Sequence, residues 1–207
     1  MSGLFVAVEG PEGAGKSTLV ERLAHRLREA GVEVLHVREP GGTPTAEAAR
    51  NLVLDPSRAW TPAAELFLIL AARAELVENL LRPALADGST VVISDRFDLS
   101  TEAYQIAGRG LPRTEVQAAN RLATGGLEPD LTLVLDLAPE MGRTRQQTQG
   151  KALDRMELED AEYHERVAAA FRDAVGVGVV HLDGTQTPDQ LEEAAWALIR
   201  ARLDGTE

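Results

Sequence analysis

The chain has 207 residues, a formal net charge of −12 and no cysteine. This length suits one domain with a full hydrophobic core, and the acidic balance works against broad binding to nucleic acid or to an anionic membrane. The lack of cysteine excludes a disulfide framework, a thiolate metal site and a cysteine nucleophile. No apolar run reaches the ~18 residues of a membrane span and no signal core precedes the first strand, so we expect a cytoplasmic protein.

Five short apolar segments rich in β-branched residues alternate with segments of helical periodicity. They are Leu4–Val8, Val32–Val37, Thr90–Ser94, Leu131–Leu135 and Val177–Leu182. This alternation predicts one α/β domain over residues 1–207, in which a five-stranded parallel sheet lies between layers of helices. Ligands of such folds bind at the carboxyl ends of the strands.

A glycine-rich loop follows the first of these segments. Its sequence, Gly-Pro-Glu-Gly-Ala-Gly-Lys-Ser at positions 10–17, fits the phosphate-binding pattern G-x-x-x-x-G-K-[ST]. Glycines let backbone N–H groups surround phosphate oxygens, and the helix that follows adds its positive end. The alternative is a turn that matches by chance. Against it, Lys16 and Lys151 are the only lysines beside 19 arginines, and one of them occupies the position that requires lysine.

Three helices are predicted with bounds. The first runs from about Lys16 to Ala30, and two others cover Glu159–Val175 and Pro188–Leu203. Residues 62–86 form a long, largely buried helical segment that Pro83 should kink or end early. Within it, Arg73 is surrounded by apolar residues. Either its head reaches water or a carboxylate such as Glu65, or it serves a site.

A polar segment, Arg143–Asp160, has little to offer a core. It is typical of a mobile lid, and the alternative is a solvated connection between helices. Its cationic residues include Arg143, Arg145, Lys151 and Arg155.

Two further motifs follow predicted strands. Arg38-Glu39-Pro40-Gly41-Gly42-Thr43 comes after the second strand, and Asp95-Arg96-Phe97 ends the third. The first alone indicates only a turn. In the second, the acid can hold Mg²⁺ and the arginine a phosphate, although such a pair is also common on surfaces.

Taken in order, the glycine-rich loop, these two motifs, Ser100 with Ala103-Tyr104-Gln105, and Asp154-Arg155-Met156-Glu157 resemble the bacterial thymidylate kinases. The resemblance extends over nearly the full chain. It implies a three-layer P-loop kinase fold, transfer of the terminal phosphate of ATP to dTMP in dTTP biosynthesis, a requirement for Mg²⁺, and a homodimer.

The resemblance also implies roles for single residues. Those around ATP would be Gly10, Pro11, Glu12, Gly13, Ala14, Gly15, Lys16, Ser17, Thr18 and Arg143. The metal would be held by Ser17 and Asp95. Those around dTMP would be Glu12 at the 3′-hydroxyl, Arg38, Arg73 and Arg96 around the phosphate, Ser100, Thr101 and Gln105 near thymine, Tyr104 beside the 2′ carbon, and Pro40 after a cis peptide bond.

The sequence departs from the family pattern at two positions. Ile69 stands where an aromatic residue usually stacks on thymine, and Phe67 lies about 200° away around the helix. Gly13 stands where one branch of the family carries a catalytic arginine. The positive charge at the transferred phosphate would then come from the lid, and we rank Arg155 and Arg145 above Lys151 because a planar guanidinium can span two oxygens.

Two alternative functions remain possible at this point. One is a kinase of the same fold that acts on another nucleoside or nucleoside monophosphate. The other is a nucleotide-dependent switch, but the chain has no Asn-Lys-x-Asp guanine signature, and the three acceptor-side arginines would have no purpose in it.

Overall fold

The computed structural model describes residues 3–149 and 153–205. Its sheet contains β1 (Leu4–Glu9), β2 (Val34–Arg38), β3 (Val91–Asp95), β4 (Leu131–Asp136) and β5 (Val179–Asp183). All neighbouring strands are parallel, in the order β2-β3-β1-β4-β5. The predicted five-stranded parallel sheet is therefore confirmed, with strand limits that differ by one or two residues. Within the described ranges, no helix is long and apolar enough to cross a membrane.

Nine α-helical segments connect and cover the strands in the described part of the chain. They are α1 (Lys16–Glu29), α2 (Pro44–Leu54), α3 (Pro62–Leu76), α4 (Arg82–Ala86), α5 (Asp98–Thr101), α6 (Arg113–Thr124), α7 (Pro139–Gln149), α8 (Ala161–Arg172) and α9 (Pro188–Leu203). The helix predicted at Pro188–Leu203 is confirmed at both ends, and those predicted around α1 and α8 are confirmed with shorter ends. Several begin with a side-chain cap, such as Thr187, which forms a capping box with Gln190 at the start of α9.

The side chains of β1 alternate between two hydrophobic cores. Val6 and Val8 pack on one face of the sheet with Leu19, Leu23 and Leu27 of α1 and with residues of α9. On the other face, β1 contributes Phe5 and Ala7 to a core with residues of the helical segment 62–86. The sheet is thus buried on both sides, as its β-branched composition requires.

The long helical segment continues past Pro83. A π-helical turn, Val77–Leu81, joins α3 directly to α4. Proline has no backbone N–H and its ring displaces the carbonyl one turn earlier, so the widened turn lets the chain continue. The helical segment therefore does not end at Pro83, which was one of the two possibilities predicted from the sequence.

The polar segment is more regular than predicted in its first half. Helix α7 extends to Gln149, and residues 153–160 form turns before α8. Lys151 lies outside the described residues. That the segment is a mobile lid stays a prediction.

Candidate functional site

Parallel pairing brings three charged residues to one edge of the sheet. Glu9, Arg38 and Asp95 each end a strand, and Arg38 and Asp95 are register partners. The glycine-rich loop leaves β1 at this edge. A site at the carboxyl ends of the strands is therefore built from β1, β2 and β3.

The loop has the backbone that phosphate binding requires. Gly10, Gly13 and Gly15 have φ angles of 138°, 72° and 96°, a region that glycine tolerates best. Helix α1 then starts without a side-chain cap, so its first N–H groups remain available to an anion. Lys16 lies across the loop and donates to the Pro11 carbonyl at 2.8 Å. Burial and the charge of Arg96 lower the pKa of Lys16 to about 8.

The start of α7 packs backbone to backbone against the loop. A Cβ atom on Gly13 would lie 2.4 Å from the Gly142 carbonyl oxygen, and one on Gly142 would lie 2.2 Å from that of Glu12. Neither position can hold a side chain without displacement of the backbone. This contact explains why position 13 departs from the arginine-bearing branch of the family: an arginine there would separate α7 from the loop.

One turn along α7, Arg145 reaches over the loop. Its guanidinium donates to the Gly13 carbonyl at 3.3 Å and to the Gly184 carbonyl at 3.0 Å. Arg145 lines the cavity described below, whereas Arg143 is half-buried and is not among the lining residues. The close approach of Gly13 and Gly142 therefore positions a cation beside the phosphate loop.

Ser17 and Asp95 meet at the loop. The Ser17 hydroxyl donates to Asp95 Oδ2 at 2.5 Å. A hydroxyl and a carboxylate are hard oxygen ligands of the kind that Mg²⁺ prefers, and such sites are completed by phosphate oxygens and water. Within residues 3–149 and 153–205, no cluster of three or more His, Asp or Glu residues could hold a metal by itself.

Arg96 is held in an unusual backbone conformation next to Asp95. Its φ is 76°, in the left-handed region that costs a non-glycine residue energy. The side chain donates to the Gly10 carbonyl at 3.1 Å, to Ser100 at 3.0 Å and to Glu12 at 2.6 Å. The strained residue therefore places its guanidinium between the phosphate loop and α5.

The Glu12 carboxylate is paired on both sides. It accepts from Arg96 and also from the Tyr104 hydroxyl at 2.8 Å. Burial favours the neutral acid, but the charges of Arg96 and Lys16 outweigh it and lower the pKa of Glu12 to about 2. Glu12 is thus an anion at neutral pH and acts as a hydrogen-bond acceptor.

Glu9 supports the turn that carries Arg96. Fully buried, it accepts from the backbone N–H of Phe97 at 2.7 Å and from the Ser100 hydroxyl at 2.6 Å. Burial raises the pKa of Glu9 to about 7 against the opposing charge of Arg96. Sequence analysis did not assign this residue to the site.

Arg73 is a buried residue of the cavity lining that connects several parts of the fold through hydrogen bonds. It is 1% exposed. Nε donates to Glu39 at 2.7 Å, and the terminal nitrogens donate to Thr101, Asn120 and the Phe97 carbonyl. The carboxylate partner is therefore Glu39 and not Glu65, which the sequence suggested. Its three nitrogens all have partners inside the protein, so the expected contact of Arg73 with the acceptor phosphate stays a prediction.

Two other arginines are more open to the cavity. Arg38 is half-exposed and pairs with Glu47 at 3.1 Å, and Arg50 donates to the Pro40 carbonyl at 2.8 Å. Burial and the charge of Arg38 lower the pKa of Arg50. Two guanidinium groups therefore repel each other at this end of the cavity, and a bound anion would relieve the repulsion. The Glu39–Pro40 bond is cis, as the resemblance implied.

Arg50 was missed at the sequence level. It follows buried Ala46 by four residues and precedes buried Val53 by three, so it shares their helix face. An arginine on a buried face is a signal that could have identified it.

The remaining acceptor-side candidates lie together in one cavity, and their contacts with dTMP stay a prediction. Ile69, Ser100, Thr101, Tyr104 and Gln105 all line the cavity. Phe67 points away and is 64% exposed, so the helix presents Ile69 to the cavity and not the aromatic ring.

Arg155 lies in a different place from Arg145. It donates to Glu65 at 2.6 Å and to the Val53 carbonyl at 2.8 Å, and it is not among the residues that line the cavity. Glu65 is fully buried and also binds Arg109 at 2.9 Å. Sequence analysis ranked Arg155 and Arg145 together as cations for the transferred phosphate, and the structure places only Arg145 beside the loop.

These groups surround one cavity of about 840 Å³. Its lining includes residues 12–19 at one end and the acceptor-side candidates at the other. It also contains the cationic side chains of Lys16, Arg38, Arg50, Arg73, Arg96 and Arg145. A chain with a net charge of −12 thus concentrates positive charge where two phosphate-bearing ligands could meet end to end.

Comparisons with known proteins agree with this arrangement. The family model for thymidylate kinase matches residues 8–195. A thymidylate kinase of Ectopseudomonas mendocina is 46% identical over 99% of this chain and 98% of its own length. One of Deinococcus radiodurans is 45% identical over 97% and 98%, and one of Pseudomonas fluorescens is 52% identical over 83% and 81%. Family model, relatives, fold and loop agree, and the chain belongs to the thymidylate kinase family.

Proposed function

We propose that this protein transfers the terminal phosphoryl group of ATP to dTMP and forms dTDP and ADP. The observation that carries the proposal is one continuous cavity, which joins the phosphate loop to a pocket containing Arg96, Tyr104 and Gln105. A donor and an acceptor bound at its two ends would bring their phosphates together.

The donor phosphates would be held by the loop backbone and the start of α1. Lys16 would exchange its contact with the Pro11 carbonyl for phosphate oxygens, where its charge offsets the charge of the leaving ADP. Nucleotide phosphates should also raise the pKa of Lys16 above its value of about 8 in this structure, because an adjacent anion favours the ammonium form.

The acceptor needs no general base. The second pKa of a phosphate monoester is about 6, so the acceptor phosphate of dTMP is mostly a dianion at neutral pH. One of its oxygens forms a bond to the γ-phosphorus of ATP while the bond from that phosphorus to the ADP oxygen breaks, and no proton moves. Catalysis then depends on alignment and charge, which Arg96, Arg38 and Arg50 would provide on the acceptor side.

Magnesium fits the oxygen ligands at the loop. Ser17 and Asp95 would hold Mg²⁺, directly or through water, together with oxygens of the donor phosphates. The ion would supply charge neutralisation of those phosphates. In this proposal, Asp95 also keeps the Ser17 hydroxyl directed toward the loop.

Asp95→Asn should lower turnover about 10- to 100-fold and raise the Mg²⁺ concentration needed for half-maximal rate, because an amide keeps the shape but loses the charge. Initial rates across a Mg²⁺ titration measure both effects. If the variant had the wild-type Mg²⁺ dependence, Asp95 would not take part in binding the metal, and its contact with Ser17 would only support the fold.

A second prediction concerns the sugar. Tyr104→Ala should narrow the preference for dTMP over its ribose counterpart about tenfold, equivalent to ~1.4 kcal/mol, because the ring would no longer close the space beside the 2′ carbon. Tyr104→Phe is the matched control: it keeps the ring and loses only the hydroxyl that contacts Glu12 and Arg96. The ratio of the two kcat/KM values decides, and an unchanged ratio in the alanine variant contradicts this role.

A nucleotide switch is the alternative from a different class. Release of phosphate from ATP, with and without dTMP, separates the two functions. A switch hydrolyses ATP alone, whereas a kinase with this cavity should consume ATP only when an acceptor is present. Hydrolysis at the same rate under both conditions would contradict the proposal.

We also propose a cytoplasmic homodimer. Phe67 on α3 and Leu122 on α6 are 64% and 86% exposed, and α3 and α6 are packed together through Leu66, Leu70 and Val116. Large exposed apolar side chains on neighbouring helices are typical of an interface. Sedimentation of the wild type against a Phe67→Glu, Leu122→Glu variant tests the dimer.

A further inference from the structure

The amide of Gln105 is held by a buried carboxylate. Its Nε2 donates to Glu65 Oε1 at 2.9 Å, and both residues are at most 1% exposed. Gln105 also lines the cavity. Among the described residues, no hydrogen-bond partner is found for its other polar atom, the carbonyl oxygen Oε1. One end of the amide is therefore fixed, and the other remains for a ligand.

Glu65 can act only as an acceptor. Arg109 donates to both of its oxygens at 3.1 Å, and Arg155 donates to Oε2 at 2.6 Å. Burial alone would raise the pKa of Glu65, but the hydrogen bonds from Arg109, Gln105 and Arg155 lower it. An ionised carboxylate has no proton to donate. Gln105 must therefore turn its NH₂ group toward Glu65, since the reverse orientation would place two acceptors in contact.

We propose that Glu65 is a positioning residue that fixes the Gln105 carbonyl oxygen toward the cavity, so that the pocket selects a pyrimidine base with an N3–H donor over cytosine. The inference rests on the proposed function, in which the base lies near Gln105. Thymine and uracil present an N–H at N3, whereas cytosine presents a lone pair there. A fixed Gln105 carbonyl oxygen accepts a hydrogen bond from the N3–H of thymine or uracil. With cytosine, the same oxygen would face the N3 lone pair, and both buried acceptors would remain unpaired.

Glu65→Gln tests this positioning because it changes the bonding capacity of the site and not its shape. The two arginines donate to the Oε2 position, so the new amide should place its oxygen there. Its NH₂ group then takes the Oε1 position and faces Gln105. Gln105 should respond by a flip that directs its own NH₂ toward the cavity, a donor suited to the N3 lone pair of cytosine.

The expected result is a change in selectivity. The ratio of kcat/KM for dTMP to that for dCMP should fall at least ~10-fold in Glu65→Gln, because the flipped amide would pair with cytosine and leave the N3–H of thymine without an acceptor. dUMP shares N3–H but lacks the thymine methyl group, so its rate should fall in parallel with that of dTMP. Loss of the contact with Arg155, or a general loss of stability, would lower all three values together and leave the ratio unchanged.

Glu159→Gln is the matched control. Glu159 also binds Arg109, at 2.6 Å, but has no contact with Gln105 in the structure. This variant should retain the wild-type ratio. A ratio that is unchanged in Glu65→Gln, or reduced equally in both variants, overturns the proposal.

A measurement on the wild type covers the case in which Glu65→Gln does not fold. A neutron structure locates the deuterons of the Gln105 amide directly: deuterons between Gln105 and Glu65 support the inference, and deuterons on the cavity side overturn it. Failure of the proposed function is a separate result, because the wild type would then not phosphorylate dTMP at all.

Discussion

Lys16→Ala is expected to lower turnover at least ~100- to 1000-fold, the range found when one preorganised group that stabilises developing charge is removed. Lys16 lies across the phosphate loop, and within the described residues its ammonium group donates its one hydrogen bond to the Pro11 carbonyl. It therefore contributes little to the hydrophobic cores. Its charge is needed where the bond to the leaving ADP breaks.

The fold and dTMP binding should persist in this variant. Thermal unfolding and calorimetric titration with dTMP measure both. Arg28→Ala serves as the control: it removes a cation from the far end of the same helix, about 18 Å away by the helical rise, and should keep wild-type turnover. A folded Lys16→Ala protein with near-normal turnover would contradict the assignment of the loop.

Arg145→Ala is expected to lower turnover at least ~100-fold with a much smaller effect on dTMP dissociation, since a cation delivered to the transferred phosphoryl group can contribute ~10³ to 10⁵ in rate. The contact of Gly142 with Gly13 brings α7 against the loop, and Arg145 already reaches the Gly13 carbonyl. Gly13 itself has no room for a side chain. Among the lid cations that the structure describes, Arg145 is therefore the one best placed for this role.

Arg155→Ala is the informative comparison. If Arg155 stays where the structure places it, its main role is the ion pair with buried Glu65, and its loss should lower the stability of the fold. Turnover should change less, because Glu65 would keep Arg109 as a partner. If the lid rearranges and delivers Arg155 to the phosphates, its alanine variant should lose turnover instead. Wild-type turnover in Arg145→Ala, Arg155→Ala and Lys151→Ala would contradict a role of the lid in transfer.

The parts of this protein that follow local rules could be predicted from the sequence. Strand positions followed from short β-branched segments, and the phosphate loop from residue types at fixed spacing. Ile69 and Phe67 were assigned to opposite sides of α3 from the helical repeat alone, and the structure confirms this. These features depend on neighbours within a few positions of each other.

The pairing of buried charges could not be predicted in the same way. Arg73 binds Glu39 from another element, and Glu65 binds Arg109 and Arg155, which are 44 and 90 positions away. Sequence alone offered Glu65 as a partner for Arg73 because both lie on one helix. Tertiary contacts overrode that choice, and the same contacts made Glu65 a support of the base pocket.

Phosphorylation of a panel of monophosphates is the most direct test of the function. The purified protein, ATP and Mg²⁺ are incubated separately with dTMP, dUMP, dCMP, dAMP and dGMP, and the products are quantified by mass spectrometry. We expect dTDP and ADP in equal amounts and the highest kcat/KM for dTMP. A higher kcat/KM for another monophosphate, or ADP formed without any nucleoside diphosphate from the acceptor, would contradict the assignment of this cavity to dTMP phosphorylation.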